Sequence, residues 1–177
     1  MTNLINLITI IRIMLAPVIL FFLMTGNFLM SALLFFIAGV TDYLDGHLAR
    51  KYNAESQLGE ILDPIADKIL IVFILLGLSV VLDSFLIAFL SSLIIAREIG
   101  VAALRDYSAR NSISDRTKVT FLAKTKTAVQ LFTIGSYLLA MTLNLNLLIV
   151  VSDILLMIAT LITIYTGYQY ALKVSQK

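Results

Sequence analysis

The chain has 177 residues, of which 60% are hydrophobic and 14% are charged, and its mean hydropathy is +0.99. Soluble domains average about 45–50% apolar and about 25% charged residues, so this composition excludes an ordinary soluble fold, a disordered chain and a nucleic-acid-binding tail. The chain contains no cysteine, which excludes a disulfide framework and a thiolate metal site. Six membrane helices need about 120 residues, so the length predicts one compact all-α membrane domain over residues 1–177.

Hydrophobic segments predict six transmembrane helices, at Leu4–Met24, Phe28–Arg50, Leu58–Leu82, Ser84–Asp106, Lys118–Leu143 and Leu147–Lys173. The first segment lacks a basic stretch before its apolar run and a small-residue cleavage site, which favours a retained helix over a signal peptide. The residues before Arg12 are predicted to form a short interfacial helix. The polar stretches Lys51–Gln57 and Tyr107–Thr117 predict loops after the second and fourth helices.

The distribution of basic residues predicts how the helices cross the membrane. The loops after the first, third and fifth helices contain no Lys or Arg, and all 13 basic residues lie towards the opposite ends. Basic residues next to membrane helices remain cytoplasmic. Both termini and the loops after the second and fourth helices are therefore predicted to face the cytoplasm.

Four aspartates form two helical pairs around the second predicted loop. Asp42 and Asp45 are three residues apart, and Asp63 and Asp67 are four apart, so each pair shares a helix face. Because the loop is short, the four carboxylates are expected to converge at the cytoplasmic ends of two neighbouring helices. One ionised Asp in a membrane helix costs at least about 2.5–3.5 kcal/mol, and four would repel one another. They therefore predict bound hard cations such as Mg²⁺, Mn²⁺ or Ca²⁺.

Simpler interpretations of these residues remain open. The aspartates could cap helices or pair with Arg50 and Lys68 at the interface. His47 is interpreted as a solvated residue, because its spacing takes it off the carboxylate face. Small residues beside the carboxylates either permit close helix packing or admit a planar ligand group: Gly46, Ala49 and Gly59.

The full pattern Asp-x2-Asp-Gly-x2-Ala-Arg-x8-Gly-x3-Asp-x3-Asp resembles the signature of the CDP-alcohol phosphatidyltransferases. Every fixed position is filled with the spacing intact, by Asp42, Asp45, Gly46, Ala49, Arg50, Gly59, Asp63 and Asp67. The segment 6–12 resembles the opening of this family. The segments 96–99, 104–105 and 124–130 resemble the branch that uses glycerol 3-phosphate, although Ala123 stands where that branch usually has Gly.

The resemblance implies a multi-pass enzyme of the inner or plasma membrane, with a cytoplasmic active site and a homodimeric assembly. It implies transfer of the phosphatidyl group of CDP-diacylglycerol to an alcohol, with release of CMP. Two divalent ions, Mg²⁺ or Mn²⁺, would be held by Asp42, Asp45, Asp63 and Asp67, and Asp67 would also take the proton of the attacking hydroxyl. Arg50 would contact the diphosphate, and further contacts to CDP-diacylglycerol would come from Asn6, Thr9, Gly46, Ala49, Ser56 and Gly59.

A second cluster is basic and lies on the fourth and fifth helices. Its deeper members predict a pocket for an acceptor that carries its own phosphate: Arg97, Arg105, Lys124 and Lys126. Such a pocket favours glycerol 3-phosphate, with inositol phosphate, serine or phosphatidylglycerol as alternative acceptors. Anchoring against anionic lipid is the favoured interpretation of Arg110, Arg116 and Lys118. A divalent-cation channel or transporter is a remote alternative, because Arg50 would repel the ion.

Overall fold

The computed structural model describes residues 2–51, 57–110 and 121–175, with side chains described for 7–42, 59, 61–110 and 126–175. Six α-helices follow one another along the chain: α1 Thr2–Met24, α2 Phe28–Lys51, α3 Gln57–Val81, α4 Phe85–Arg110, α5 Phe121–Leu143 and α6 Asn146–Ser175. The described residues contain no strand. The predicted all-α class with six helices is therefore confirmed.

Four helices contain stretches that are long and apolar enough to cross a membrane: Leu7–Met24, Ile61–Val81, Phe85–Arg110 and Asn146–Ser175. Large apolar side chains also cover the outside of the bundle, where Phe85 is 84% and Leu147 is 79% exposed. An apolar surface of this extent fits contact with lipid and not with water. The chain is thus a multi-pass membrane protein. In α2 the apolar stretch among the described side chains is Phe28–Asp42, and the count of six spans and the cytoplasmic termini stay predictions.

The closest packing in the bundle brings α1 against α3. Helix α1 contacts α3 and α2, while α6 contacts α4 and α5. A Cβ atom on Gly77 would lie 2.6 Å from Cδ1 of Leu20 and 2.7 Å from Cδ2 of Leu23, so glycine at this position permits the close approach. The approach matters for the site, because it lays the polar residues of α1 alongside the aspartates of α3.

Three tight turns close the same end of the bundle, after α1, α3 and α5. Each turn has a residue with positive φ, namely Gly26 (79°), Asp83 (43°) and Asn144 (53°). In each turn the next residue donates its N–H to a carbonyl five positions back, as in Asn27 N to Phe22 O at 2.9 Å. This is the Schellman arrangement, which satisfies the last carbonyls of a helix. Glycine and asparagine are the residue types that favour this left-handed position, and Gly26 and Asn144 supply them here.

Helices α5 and α6 are joined by polar side chains inside an apolar bundle. Ser136 and Ser152 share a 2.7 Å hydrogen bond, and Tyr137 Oη donates to Asp153 Oδ1 at 2.5 Å. Interhelical hydrogen bonds of this type hold membrane helices together where apolar burial gives no driving force.

Most helix ends lie within one to three residues of their predicted positions, but two predicted features differ from the structure. Helix α1 is continuous from Thr2, so the residues before Arg12 do not form a separate interfacial helix. Helix α4 continues to Arg110, although Tyr107–Thr117 was expected to be a loop. The extra turn is supported by an Arg110–Asp106 ion pair at 2.8 Å and by Ser108 Oγ donating to Leu104 O at 2.8 Å. Polarity alone marked these residues as a loop, but i,i+4 pairing stabilises a polar helix end.

Candidate active site

An acidic cluster forms where α1 packs against α2 and α3. Thr9 and Arg12 lie three residues apart on one face of α1, and both are almost fully buried. Thr9 Oγ1 donates to Asp63 Oδ1 at 2.9 Å. The Nη1 atom of Arg12 contacts Asp42 Oδ1 and also lies 3.4 Å from Asp67 Oδ1. Helix α1 therefore brings carboxylates of α2 and α3 together around one hydroxyl and one guanidinium.

The charges of this cluster are partly solvated. The side chains of Asp42 and Asp67 are 43% and 39% exposed, whereas that of Arg12 is 1% exposed. A buried guanidinium needs carboxylate partners, because an uncompensated buried charge is strongly destabilising. The side chains of Asp42 and Asp67 are thus partly accessible from outside the bundle, although Arg12 is not.

The donor chemistry of the cluster fits a hard divalent cation. Carboxylate oxygens are the preferred ligands of Mg²⁺ and Mn²⁺, and the contact of Arg12 with both Asp42 and Asp67 shows that positive charge is accommodated between them. Among the described residues, no three carboxylates stand close enough to hold one ion together. Asp45, the fourth predicted ligand, lies on the part of α2 whose side chains are not described.

Several other predicted residues also fall outside the described side chains. Ser56 lies between α2 and α3, outside the described ranges. Five more predicted residues lie on helices, but their side chains are not described: Asn6, Gly46, Ala49, Arg50 and Lys124. Gly59 is described and is buried in the first turn of α3. Thr9, predicted to contact the nucleotide, donates to Asp63, and its nucleotide contact stays a prediction.

A basic cluster forms between α4 and α5 around Glu98. Its Oε1 atom accepts a hydrogen bond from Arg97 Nη1 at 3.1 Å and another from Lys126 Nζ. These three side chains are only 10–14% exposed. Arg105 lies about two helical turns further along α4, with its guanidinium 5.8 Å from the ring centre of Tyr170. Three of the four predicted acceptor-binding residues, Arg97, Arg105 and Lys126, are thus near one another.

One cavity of about 140 Å³ joins the acidic and basic clusters. Asp67 and Lys68 line it from α3, and its other polar lining comes from α4 and α5: Arg97, Glu98, Arg105, Lys126, Thr127 and Gln130. A cavity of this size holds several water molecules, and it therefore accommodates a small polar molecule. A molecule in it would touch a carboxylate at one end and basic side chains at the other.

Residues outside the sequence-based site also contribute to it. The sequence assigned no role to Arg12, although an arginine in a membrane helix by itself signals a buried acidic partner. Glu98, which is not among the predicted site residues, contacts both Arg97 and Lys126. Arg110, interpreted as a lipid anchor, is 77% exposed and pairs with Asp106 away from the cavity; Arg116 and Lys118 lie outside the described residues.

Comparison with known proteins identifies the family that the aspartate motif resembles, and the match extends along nearly the whole chain. Residues 2–165 match the sequence profile of a family described as CDP-alcohol phosphatidyltransferase. A protein of Rickettsia bellii named CDP-diacylglycerol–glycerol-3-phosphate 3-phosphatidyltransferase is 41% identical over 172 residues, which cover 95% of this chain and 93% of the relative. Proteins with that name from Haemophilus influenzae and Escherichia coli are 37% and 35% identical. These alignments cover 92% and 73% of this chain, and 88% and 72% of the relatives.

Proposed function

The chain belongs to the CDP-alcohol phosphatidyltransferase family, and we propose that it transfers the phosphatidyl group of CDP-diacylglycerol to sn-glycerol 3-phosphate, giving phosphatidylglycerophosphate and CMP. The names of its relatives support both substrates. The observation that carries the acceptor assignment is the cavity, because Asp67 and the basic cluster line the same space. An acceptor bound there presents a hydroxyl to the carboxylate while its phosphate lies among the cations.

The charge of the cavity matches the proposed acceptor. Its described lining contains four cationic side chains, Lys68, Arg97, Arg105 and Lys126, and two carboxylates, Asp67 and Glu98. The surplus is two positive charges, and a phosphate monoester carries about −1.5 to −2 at neutral pH. Arginine also binds phosphate oxygens in a bidentate manner. Glycerol, choline and serine lack the phosphate that would balance this surplus.

Members of the family generally depend on a divalent metal, and the acidic cluster is the candidate site for it. Two ions, Mg²⁺ or Mn²⁺, are proposed to be held by Asp42, Asp45, Asp63 and Asp67. When bound, such ions offset negative charge on the diphosphate and on the departing CMP. The described contacts of Thr9 with Asp63, and of Arg12 with Asp42 and Asp67, orient carboxylates that would otherwise repel one another.

Asp67 is the proposed general base for the acceptor. It belongs to the acidic cluster through Arg12 and also lines the cavity. It therefore lies between the donor and acceptor sites, where it can take the proton of the attacking hydroxyl. The remaining donor contacts are proposed for Asn6, Thr9, Gly46, Ala49, Arg50, Ser56 and Gly59. Basic residues around this end of the helices support a site on the cytoplasmic face, and the proposed location is the inner or plasma membrane.

The acceptor assignment is tested with purified protein in detergent micelles containing Mg²⁺ and labelled CDP-diacylglycerol. The acceptors are sn-glycerol 3-phosphate, glycerol, inositol phosphate, serine and phosphatidylglycerol. We expect lipid product and CMP in equal amounts with sn-glycerol 3-phosphate alone. Comparable turnover with free glycerol would show that no phosphate pocket operates, and a preference for inositol phosphate or serine would assign another acceptor.

A further inference from the structure

One face of α6 contacts three of the residues that line the cavity. Thr163, Thr166, Gly167 and Tyr170 are spaced at i, i+3, i+4 and i+7, so they form one stripe along the helix. Thr163 contacts Gln130, Thr166 and Gly167 contact Arg97, and Tyr170 contacts Arg105. None of the four is among the described residues that line the cavity itself. This stripe is called the α6 positioning face below.

We propose that the α6 positioning face fixes the side chains that bind the phosphate of the acceptor, and so sets the affinity for that acceptor. The inference rests on the proposed function, since it assumes that the cavity holds glycerol 3-phosphate. The four members of the α6 positioning face are positioning residues, because they act through Arg97, Arg105 and Gln130 and are not among the described residues that line the cavity.

The strongest positioning contact is the one to Arg97. The Nη2 atom of Arg97 donates to Thr166 Oγ1 at 2.8 Å, and Nη1 donates to Glu98 Oε1 at 3.1 Å. The Thr166 hydroxyl lies 2.8 Å from the carbonyl of Ile162, to which it donates its own proton, so it faces Arg97 as an acceptor. The guanidinium is thus held from two sides, by α6 and by its neighbour on α4.

Gly167 leaves the room that this arrangement needs. A Cβ atom at position 167 would lie 2.9 Å from both Cγ and Nε of Arg97 and 3.4 Å from Cδ. The crowded atoms run along the stem of the arginine, so its guanidinium cannot keep its place while the stem moves away. A single added methyl group is therefore expected to displace the guanidinium from the cavity wall.

The other two contacts extend the same function along the helix. Gln130 is almost fully buried and donates from Nε2 to Thr163 Oγ1 at 3.0 Å. Tyr170 presents its ring to the guanidinium of Arg105 at 5.8 Å, within the range of a cation–π contact. Long side chains lose rotamer freedom when they bind a ligand, and partners that order them beforehand reduce that loss. The α6 positioning face would thus order Arg97 and Arg105 before the acceptor phosphate binds to them.

The test uses Gly167→Ala, with Gly100→Ala as the matched control. Both glycines lie inside membrane helices, and a Cβ atom at Gly100 would have no atom within 4 Å. Alanine favours helix more than glycine does, so neither change weakens its own helix. For Gly167→Ala we expect the KM for sn-glycerol 3-phosphate to rise about tenfold, as for loss of one charge-assisted contact. The KM for CDP-diacylglycerol should stay within about twofold of wild type.

A second set of variants keeps the test decisive if Gly167→Ala does not insert. Thr166→Val removes the hydroxyl that accepts the hydrogen bond from Arg97, with little change of shape, and should raise the KM for sn-glycerol 3-phosphate. Thr166→Ser keeps a hydroxyl and should leave this KM close to that of wild type. Tyr170→Leu should raise it by about two- to fivefold, as for loss of an exposed cation–π contact, while Tyr170→Phe keeps the ring. Binding is also read without turnover, because sn-glycerol 3-phosphate alone should raise the melting temperature of wild type more than that of Thr166→Val.

Arg97→Gln separates this inference from the proposed function. If Arg97→Gln leaves the KM for sn-glycerol 3-phosphate unchanged, the phosphate pocket is wrong and the positioning face falls with it. If Arg97→Gln raises that KM while Gly167→Ala and Thr166→Val behave like Gly100→Ala, the pocket stands and the positioning face is refuted. Equal rises in both Michaelis constants would indicate general loss of packing and would also overturn the inference.

Discussion

Replacement of Lys126 by Gln tests whether the basic cluster binds the acceptor phosphate. The side chain of Lys126 is 10% exposed, lines the cavity and contacts Glu98. The substitution removes its charge and keeps a polar side chain of moderate length. Arg97 continues to hold Glu98 at 3.1 Å, so the carboxylate does not become an isolated charge. The main change is the loss of one of the four cations in the described lining of the cavity.

The size of the effect follows from the burial of Lys126. At an effective dielectric constant of 20, two unit charges 4 Å apart interact by about 4 kcal/mol, which is an upper limit because both lose solvation. Hydrogen bonds to charged groups contribute about 1.5–3 kcal/mol net. Loss of this contact should therefore raise the KM for sn-glycerol 3-phosphate by roughly ten- to a hundredfold. The KM for CDP-diacylglycerol should change little, because its diphosphate is proposed to bind at the acidic cluster and Arg50.

The assay varies sn-glycerol 3-phosphate at saturating CDP-diacylglycerol and Mg²⁺, and then varies the donor at saturating acceptor. Lys173→Gln is the matched control, since Lys173 is exposed in the last turn of α6 and is not among the described residues that line the cavity. If Lys126→Gln raises the acceptor KM no more than Lys173→Gln does, the basic cluster does not bind phosphate. Its role would then be lipid anchoring, and glycerol 3-phosphate would lose its structural support.

Three further predictions concern the acidic cluster and one turn. Asp67→Asn should retain CDP-diacylglycerol binding but lower kcat by about 10²- to 10⁴-fold, as expected for loss of a general base; a variant that also fails to bind the donor would make Asp67 a structural ligand only. Asp42→Ala and Asp63→Ala should each abolish transfer in inserted protein, and a chelator should stop the wild-type reaction until Mg²⁺ or Mn²⁺ is restored. Undiminished turnover in chelator would refute the metal site. Asp83→Gly should raise the melting temperature by relieving about 1 kcal/mol of strain at positive φ, and no rise in a thermal unfolding scan would contradict this.

Hydropathy and turn chemistry were sufficient to predict the six helices. Continuous apolar segments separated by short polar turns leave little freedom, because a membrane helix must satisfy its own backbone hydrogen bonds. The turns at Gly26 and Asn144 were recognisable because these residue types tolerate positive φ. The end of α4 was not predictable from polarity, since Ser108 and the Asp106–Arg110 pair stabilise a helix in a stretch that looks like a loop.

The sequence predicted the relative placement of candidate-site residues that lie on the same helix. It did not predict which residues of different helices contact one another. Spacing placed Asp63 and Asp67 on one face of α3, and the structure brings both beside α1. The pairing of Arg12 with Asp42 and Asp67 spans 30 and 55 positions of sequence. Helical periodicity gives the face on which Arg12 lies, but not which neighbouring helix that face meets. That depends on how α1 is rotated in the bundle, which packing contacts such as Gly77 against Leu20 determine.

Among the described side chains, each charged cluster contains one of the opposite sign, and this explains how both persist inside an apolar helix bundle. Arg12 lies between Asp42 and Asp67 in the acidic cluster, while Glu98 lies between Arg97 and Lys126 in the basic one. Without Arg12 and Glu98, the like charges of each cluster would repel one another at low dielectric and would be costly to bury. The internal partners thus stabilise the protein before its ligands bind. On the proposed function, binding would be an exchange in which substrate or metal charge takes up the interactions that Arg12 and Glu98 supply beforehand, and affinity would depend on how firmly those two partners are held.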